Sequence, residues 1–375
     1  MAEQNDVYRR LQQHLDRMPI GFPATASGVE IRILRRLFIP EDAEIALELS
    51  AMAEPLDTIH ARLAWRYSLD GLRTRLDDMA ARGLILRGER HGTPQYGKLP
   101  FVLGIYEFQL PRLTAELERD VLQYFEEGFG TAVHTKGTPQ MRTVPVNVSL
   151  TPERDVATYD DIRAHVRAST GPFAAMECIC RLGKGLVGHP CVQTERHETC
   201  LTIGPAAEGM VRTGAARFIS REEMLGLLDE ADHDGLVLQP GNTQDPQFVC
   251  CCCGCCCGVL TTAKRLPEPA EYFSTNYYAE VDAGKCEACG TCVGRCQMDA
   301  VSLDTGKAAV ARSHCIGCAL CVTTCPSEAM TLHQKDTRRV PPRNIPALYA
   351  QIYRERFGTL GLAVAAGRRF LGLKV

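Results

Sequence analysis

Residues 286–296 read CEACGTCVGRC, and residues 315–326 read CIGCALCVTTCP. Both segments place four cysteines at the spacing Cys-x2-Cys-x2-Cys-x3-Cys, and the second set follows the first at an offset of 29 residues. The repeat extends beyond the cysteines, since Val281 matches Val310 and residues 300–303 match residues 329–332. The pattern indicates an internal duplication that gathers eight thiols into one small module.

The cysteine content limits the chemistry of the whole chain. The chain has 375 residues and 19 cysteines, all between Cys178 and Cys325, and an odd number cannot pair completely as disulfides within one chain. The N-terminal residues show no basic region followed by an apolar stretch, so no secretory signal is expected, and no apolar run reaches the ~18 residues of a membrane span. Dense cysteine in a chain expected to be cytoplasmic predicts metal binding rather than disulfides.

Residues 281–333 resemble the bacterial two-cluster ferredoxin family in spacing and duplication. Iron–sulfur cubanes need four soft thiolates that converge on one core, which fits this pattern. The resemblance implies two [4Fe-4S] clusters, with the fourth cysteine of each segment reaching the cluster of the other segment. It assigns the first cluster to Cys286, Cys289, Cys292 and Cys325, and the second cluster to Cys315, Cys318, Cys321 and Cys296.

One position departs from the family pattern. Gln297 follows the last cysteine of the first segment where the family has proline, whereas Pro326 keeps the proline in the second segment. All eight thiols are present, so the departure leaves cluster binding intact. Zinc in two four-cysteine sites is the alternative, but zinc modules rarely show this interlocked duplication. Because the family binds every iron fully, the resemblance implies one-electron transfer and no catalytic residue in this module.

Eleven further cysteines form a second group with no comparable spacing. Successive side chains of an extended chain point in opposite directions, so only a subset can bind one metal. Three interpretations stay open: a third iron–sulfur centre, a structural zinc site, or free thiols that exchange redox state. Arg181 could neutralise a thiolate-rich centre. The candidate metal ligands are Cys178, Cys180, Cys191, Cys200, Cys250, Cys251, Cys252, Cys253, Cys255, Cys256 and Cys257.

The N-terminal third resembles a winged helix in the order and spacing of its predicted elements. Helical segments with one apolar face are followed by a hairpin near residues 84–98, and Ser68 is a predicted N-cap. A winged helix suggests DNA binding, but a DNA-binding helix usually has a clearly basic face. On the candidate recognition helix, three arginines are offset by three aspartates: Arg73, Arg75 and Arg82 against Asp70, Asp77 and Asp78. We therefore expect a protein-docking or structural role rather than DNA binding.

Four further elements are predicted between the N-terminal third and the ferredoxin-like repeat. Residues 111–175 are expected to contain helices near 115–128 and 159–167 and a strand at 144–150. Ser220 and Glu223 form a capping box that predicts the start of a helix between the two parts of the second cysteine group.

The C-terminal segment is basic. From Lys335 onward there are nine Lys/Arg and two Asp/Glu, and residues 345–357 are predicted to form a helix. Such a tail could contact an anionic membrane surface or an acidic partner, or could pack against the chain's own acidic body.

The predicted fold is an α+β multi-domain chain. Its parts are an N-terminal helix (1–27), a winged-helix-like domain (28–110), a connecting α/β segment (111–175), a cysteine-rich metal module (176–262), a dicluster ferredoxin domain (276–335) and a basic amphipathic tail (336–375). We expect an iron–sulfur electron-transfer protein, or the electron-carrying subunit of a redox complex, that serves a redox protein partner. The alternative is an iron–sulfur-dependent winged-helix DNA-binding regulator. Without a dinucleotide fingerprint, P-loop or nucleophile elbow, a stand-alone catalyst is less expected.

Overall fold

The computed structural model describes residues 6–134, 137–146, 158–303, 306–371 and 373–374. The chain divides into two compact units. All 19 cysteines lie in the second unit, so the candidate metal ligands belong to one compact body. The first unit comprises Met1–Val133, Glu208–Ala216 and Tyr349–Val375, and the second comprises His134–Ala207 and Arg217–Leu348.

The first unit is mainly helical and carries a small antiparallel sheet of order β1-β3-β2. Ser68 Oγ accepts a hydrogen bond from the Gly71 N–H at 3.2 Å, which confirms the predicted N-cap. The winged-helix resemblance itself stays a prediction. The elements are α1 (Val7–Asp16), α2 (Val29–Leu37), α3 (Pro40–Ala46), β1 (Glu54–Pro55), α4 (Leu56–Leu63), α5 (Leu69–Ala81), β2 (Ile85–Arg90), β3 (Thr93–Lys98), α6 (Ala115–Tyr124) and α7 (Gly130–Val133).

The second unit begins with a five-stranded antiparallel sheet of order β6-β4-β5-β8-β7. Helix α11 packs against three of these strands, with Met224 and Leu228 buried. The elements of residues 162–263 are α8 (Ile162–Ala168), β4 (Phe173–Glu177), α9 (Ile179–Leu186), β5 (Glu198–Ile203), α10 (Pro205–Arg212), β6 (Arg217–Ile219), α11 (Arg221–His233), β7 (Val237–Pro240), β8 (Phe248–Cys252) and α12 (Gly258–Ala263). The part of α10 from Glu208 onward belongs to the first unit.

The duplicated segment follows in the same unit and shows its repeat in the backbone. Strand β9 (Tyr277–Val281) pairs with β12 (Met330–Gln334), and β10 (Val301–Ser302) pairs with β11 (Ala309–Val310). Helices α13 (Thr291–Arg295) and α14 (Leu320–Thr323) begin after equivalent residues. Positive φ angles recur at three positions that are 29 residues apart: Ala288 and Gly317, Gly290 and Ala319, Asp299 and Glu328. We refer to this region, residues 277–334, as the dicluster module.

The structure corrects the predicted strand at 144–150. Within the described residues 144–146, the Val144 amide bonds to the Leu238 carbonyl of β7, but the Val146 amide bonds to the Cys318 carbonyl, so pairing along β7 does not continue and no strand is formed. Both valines are fully buried, which explains the apolar alternation that suggested a strand. Residues 147–150 lie outside the described residues.

The predicted helices are present with shifted ends. The helix near 115–128 ends as α6 at Tyr124 and passes into a π-helical turn, Phe125–Phe129. The helix near 159–167 is α8, preceded by a 3-10 turn, and its N-cap is Asp161. Ser220 Oγ accepts from the Glu223 N–H at 3.0 Å, which confirms the cap of α11.

The basic tail forms α15 (Ile345–Phe370), longer than predicted and interrupted at Gly358. Its basic groups pair within the first unit, since Arg356 bonds to Asp16 at 2.9 Å and Lys374 to Glu48 at 2.8 Å. Leu360 and Phe370 are exposed. None of the described helices combines the length and apolar character that crossing a membrane requires.

Candidate metal centres

One cavity in the dicluster module is lined by four thiols. They come from the loop before α13, from α13 itself and from the residue that follows the α14 turn. Cys289 is exposed, whereas Cys286 and Cys292 are buried. Contact with the Thr291 hydroxyl lowers the pKa of the Cys289 thiol. The cavity thus brings together the set that the resemblance assigns to the first cluster: Cys286, Cys289, Cys292 and Cys325.

The second set of thiols in this module is more deeply enclosed. Burial raises the pKa of Cys318 to about 12 and also raises the pKa of Cys321. The charges of Cys296 and Cys315 act on both thiols, in keeping with the second set that the resemblance assigns. The two sets therefore differ mainly at Cys289, because the first set has this exposed thiol and the second set has none.

Backbone amides donate hydrogen bonds to sulfur atoms at equivalent positions of the two repeats. The Ala308 N–H donates to Cys286 Sγ at 3.4 Å, and the Ala279 N–H donates to Cys315 Sγ at the same distance. Ala279 and Ala308 are 29 residues apart, so each repeat supplies a donor to the first cysteine of the other repeat. Amide–sulfur hydrogen bonds are one means by which proteins set the reduction potential of iron–sulfur clusters.

The eleven remaining thiols separate into two groups and one lone residue. The first, the four-thiol group, consists of Cys191, Cys253, Cys255 and Cys256, whose sulfur atoms all lie within 4.8 Å of one another. Cys191 Sγ lies 3.8 Å from Cys253 Sγ and 3.7 Å from Cys255 Sγ. A tetrahedral ion with metal–sulfur bonds of about 2.3 Å requires sulfur atoms about 3.8 Å apart. The four-thiol group therefore fits one tetrahedral ion, zinc or iron.

The second, the six-thiol group, is held by the sheet and by two helix starts. Cys200 on β5 and Cys250 on β8 are direct cross-strand partners, and Cys252 lies two residues further along the same face. Contacts with the Cys200 and Cys252 thiols lower the pKa of Cys250 to about 5. The group is completed by three cysteines at or near the starts of α9 and α12: Cys178, Cys180 and Cys257.

Cys251 is the lone residue and points away from both groups. In β8 it pairs with Leu238, on the face opposite to that of Cys250 and Cys252. Burial raises the pKa of its thiol. The candidate set from the sequence thus contained one cysteine that the strand turns toward the other side of the sheet.

Arg181 lies between the two thiol groups of the middle region. Its side chain is buried, and Nη2 lies 3.7 Å from Cys253 Sγ of the four-thiol group. Burial alone would lower the pKa of this guanidinium, but the negative charges of Cys178 and Cys253 outweigh it and raise the pKa. Nη1 donates to Thr199 Oγ1 at 2.6 Å, which fixes the orientation of the side chain. This position is consistent with the expectation from the sequence that Arg181 neutralises a thiolate-rich centre.

Gln297, the departure from the family pattern, joins the dicluster module to the cysteine run. Its Oε1 accepts a hydrogen bond from the Gly254 N–H at 2.7 Å, and its side chain is buried. Any Cβ at residue 254 would lie 2.2 Å from the Gln297 carbonyl oxygen, so this approach requires glycine. Lys264 and Asp299 add an ion pair at 3.0 Å. A proline at 297 could not accept the hydrogen bond, and sequence reasoning had no signal for this role.

Comparison with known proteins supports the dicluster module alone. A family model described as "4Fe-4S dicluster domain" matches residues 278–335. No curated protein matches the chain, and no solved structure matches it. Together with the cysteine groups, the match shows that the chain contains a 4Fe-4S ferredoxin-like module.

Proposed function

We propose that this protein is an iron–sulfur electron-transfer protein, or the electron-carrying subunit of a redox complex. The observation that carries the proposal is the duplicated pair of thiol sets within residues that match a 4Fe-4S dicluster domain. Each set offers four thiolates to one [4Fe-4S] cluster, one for each iron, so no iron position is left open for substrate. Two such clusters accept and release single electrons.

The difference in environment between the two sets suggests a direction of access. Cys289 of the first set is exposed, whereas the four thiols of the second set are buried or half-buried. We infer that a redox partner protein exchanges electrons with the first cluster. The second cluster then relays electrons toward the rest of the second unit.

A third metal centre is part of the proposal. The four-thiol group binds one tetrahedral ion, because its sulfur spacing matches that geometry. Iron at this position would make it a further one-electron site, and zinc would make it structural. Metal analysis of the purified protein separates these two outcomes.

The DNA-binding alternative is not favoured, because the arginines of the candidate recognition helix are already paired. Arg82 bonds to Asp42 at 2.6 Å and to Asp78 at 2.7 Å. Arg75 lies within ion-pair distance of Asp42, and Arg73 within that of Asp70. DNA phosphates would have to displace these carboxylates. Absence of binding to duplex DNA at low salt is the expected result.

The experiment that tests the proposal uses the full chain purified without oxygen. We expect the dicluster module to contribute about eight irons and eight sulfides, and dithionite to produce the EPR signals of reduced [4Fe-4S] clusters. Cys289→Ala and Cys318→Ala should each remove about four irons, with different remaining signals. Cys251→Ala is the matched control and should remove none. Zinc in place of iron in this module, or clusters that dithionite cannot reduce, would refute the proposal.

A further inference from the structure

The sheet and the starts of α9 and α12 gather the six-thiol group into a run of neighbouring thiols, which we call the ring. Contacts between thiols run from Cys180 to Cys178, then to Cys200 and Cys250, then to Cys252 and Cys257. The charge of Cys257 also acts on Cys180, so the two ends of this run lie in the same neighbourhood. Three separate stretches of chain are needed to build it: the start of α9 with the preceding residue, β5, and the segment from β8 to α12.

The ring is too wide for a single ion. Across the described part of the chain, the four-thiol group is the one set of three or more ligand atoms that all lie within 4.8 Å of one another. No three sulfur atoms of the ring meet that limit, whereas a tetrahedral zinc site needs sulfur spacings of about 3.8 Å. Two zinc ions bridged by thiolates would need such triplets as well.

The dicluster module provides an internal standard for this spacing. Among the residues described, its two thiol sets also contain no three sulfur atoms that all lie within 4.8 Å of one another. Both sets nevertheless belong to residues that match a 4Fe-4S dicluster domain. Thiolates that bind different irons of one cluster stand further apart than thiolates that share one ion. The ring shares this lack of a close triplet with the two dicluster sets, which is what thiolates that bind different irons of one cluster require.

A second observation indicates that the ring binds a ligand. Gln239 on β7 is the direct cross-strand partner of Cys250, so both side chains project from the same face of the sheet. The Gln239 side chain is completely buried, and neither its Nε2 nor its Oε1 has a hydrogen-bond partner among the described residues. An unpaired buried amide is costly, and a cluster sulfide would accept the Nε2–H hydrogen bond.

We propose that the six-thiol ring binds a polynuclear iron–sulfur cluster, separate from the ion of the four-thiol group. Six thiolates are two more than a [4Fe-4S] cubane binds at one per iron, so the cluster has further iron positions or thiolate bridges. Arg181 lies between this cluster and the four-thiol group and offsets part of their negative charge. The inference goes beyond the proposed function, because it does not depend on what the dicluster module does.

The test measures iron in the full chain with the double variant Cys200→Ala/Cys250→Ala. We expect the wild-type protein to hold about four or more irons beyond the eight of the dicluster module and any single ion at the four-thiol group. The double variant should lose this additional iron and keep the dicluster EPR signals. Cys251→Ala is the matched control, one residue from Cys250 on the other face, and should keep all iron. Cys191→Ala should remove at most one ion.

The outcomes separate this inference from the proposed function. Iron that is unchanged in the double variant, or zinc or no metal at the ring, would overturn the inference and leave the dicluster proposal standing. If the double variant does not fold, the Mössbauer spectrum of the wild-type protein labelled with ⁵⁷Fe decides. A component of several irons beyond the cubane iron of the dicluster module supports the ring cluster, and its absence overturns it.

Discussion

The dicluster module and the middle region of the second unit hold cysteines in opposite ways. In the dicluster module, eight thiols come from two copies of one short segment, and the core contains little else than cysteines and small apolar residues. In the middle region, ten thiols come from two strands, two helix starts and the loops that carry the four-thiol group, around a sheet with its own apolar core. The spacing of cysteines along the sequence therefore determines the thiol sets of the dicluster module, whereas the register of the strands determines those of the middle region.

The largest effect that should separate the two regions is metal removal. Without clusters, the dicluster module keeps a core of residues such as Ala279, Ala308 and Met330, too small to hold it folded. Amide protons of β9 and β12 should lose protection roughly a thousandfold or more, about 4 kcal/mol, while β4 and β5 stay protected. Hydrogen exchange before and after anaerobic chelation measures this. Equal loss of protection in both regions would contradict the claim that only the dicluster module depends on its clusters for folding.

Gly254→Ala should disturb the contact between the two regions. The new Cβ would lie 2.2 Å from the Gln297 carbonyl oxygen, a backbone atom that cannot move aside alone. We expect a loss of about 3 kcal/mol in the free energy of unfolding, measured by urea denaturation. Gly294→Ala is the control, since a Cβ there meets nothing within 4 Å and should cost little. Similar stability of the two variants would contradict this account of the contact.

Gln297→Ala should have a smaller effect at the same contact. It leaves the Gly254 N–H without its acceptor, at a cost of about 1–2 kcal/mol. Gln297→Glu keeps an acceptor oxygen and should lose less. Thermal unfolding of both variants with clusters intact provides the measurement. If alanine and glutamate behave alike, the hydrogen bond is not what holds the two regions together.

Arg181→Gln should change the middle region alone and only modestly. Removing a buried positive charge disfavours the reduced, more negative state of a nearby centre, so its reduction potential should fall by on the order of 50 mV, about 1 kcal/mol. Arg181→Lys keeps the charge and should retain most of the potential. EPR-monitored redox titration reports both regions at once. A shift confined to the dicluster signals would show that Arg181 acts elsewhere.

The sequence predicted the dicluster module well because the residues that determine its structure lie close together along the chain. The 29-residue repeat predicts equivalent backbone turns, and positive φ angles do recur at paired positions such as Gly290 and Ala319. The caps at Ser68 and Ser220 were predictable for the same reason, since each depends on a residue three positions away.

The grouping of the other thiols could not be predicted. Strand alternation implied that only some of residues 250–257 bind together, but it could not show that Cys250 faces Cys200, which depends on the register of β5 and β8. The role of Gln297 also depends on a tertiary contact. The described residues 144–146 of the predicted strand at 144–150 do not form one, because the Val144 amide bonds to β7 and the Val146 amide bonds to Cys318 instead.

The most direct test of the central claim is an anomalous difference map at the iron absorption edge from crystals of the anaerobic protein. We predict two separate iron peaks in the dicluster module, one between Cys286 and Cys325 and one near Cys318. A third, polynuclear iron peak should lie inside the ring that contains Cys200 and Cys250. Iron confined to the dicluster module, with the six ring thiols free or bound to zinc, would contradict the account of two kinds of cysteine site.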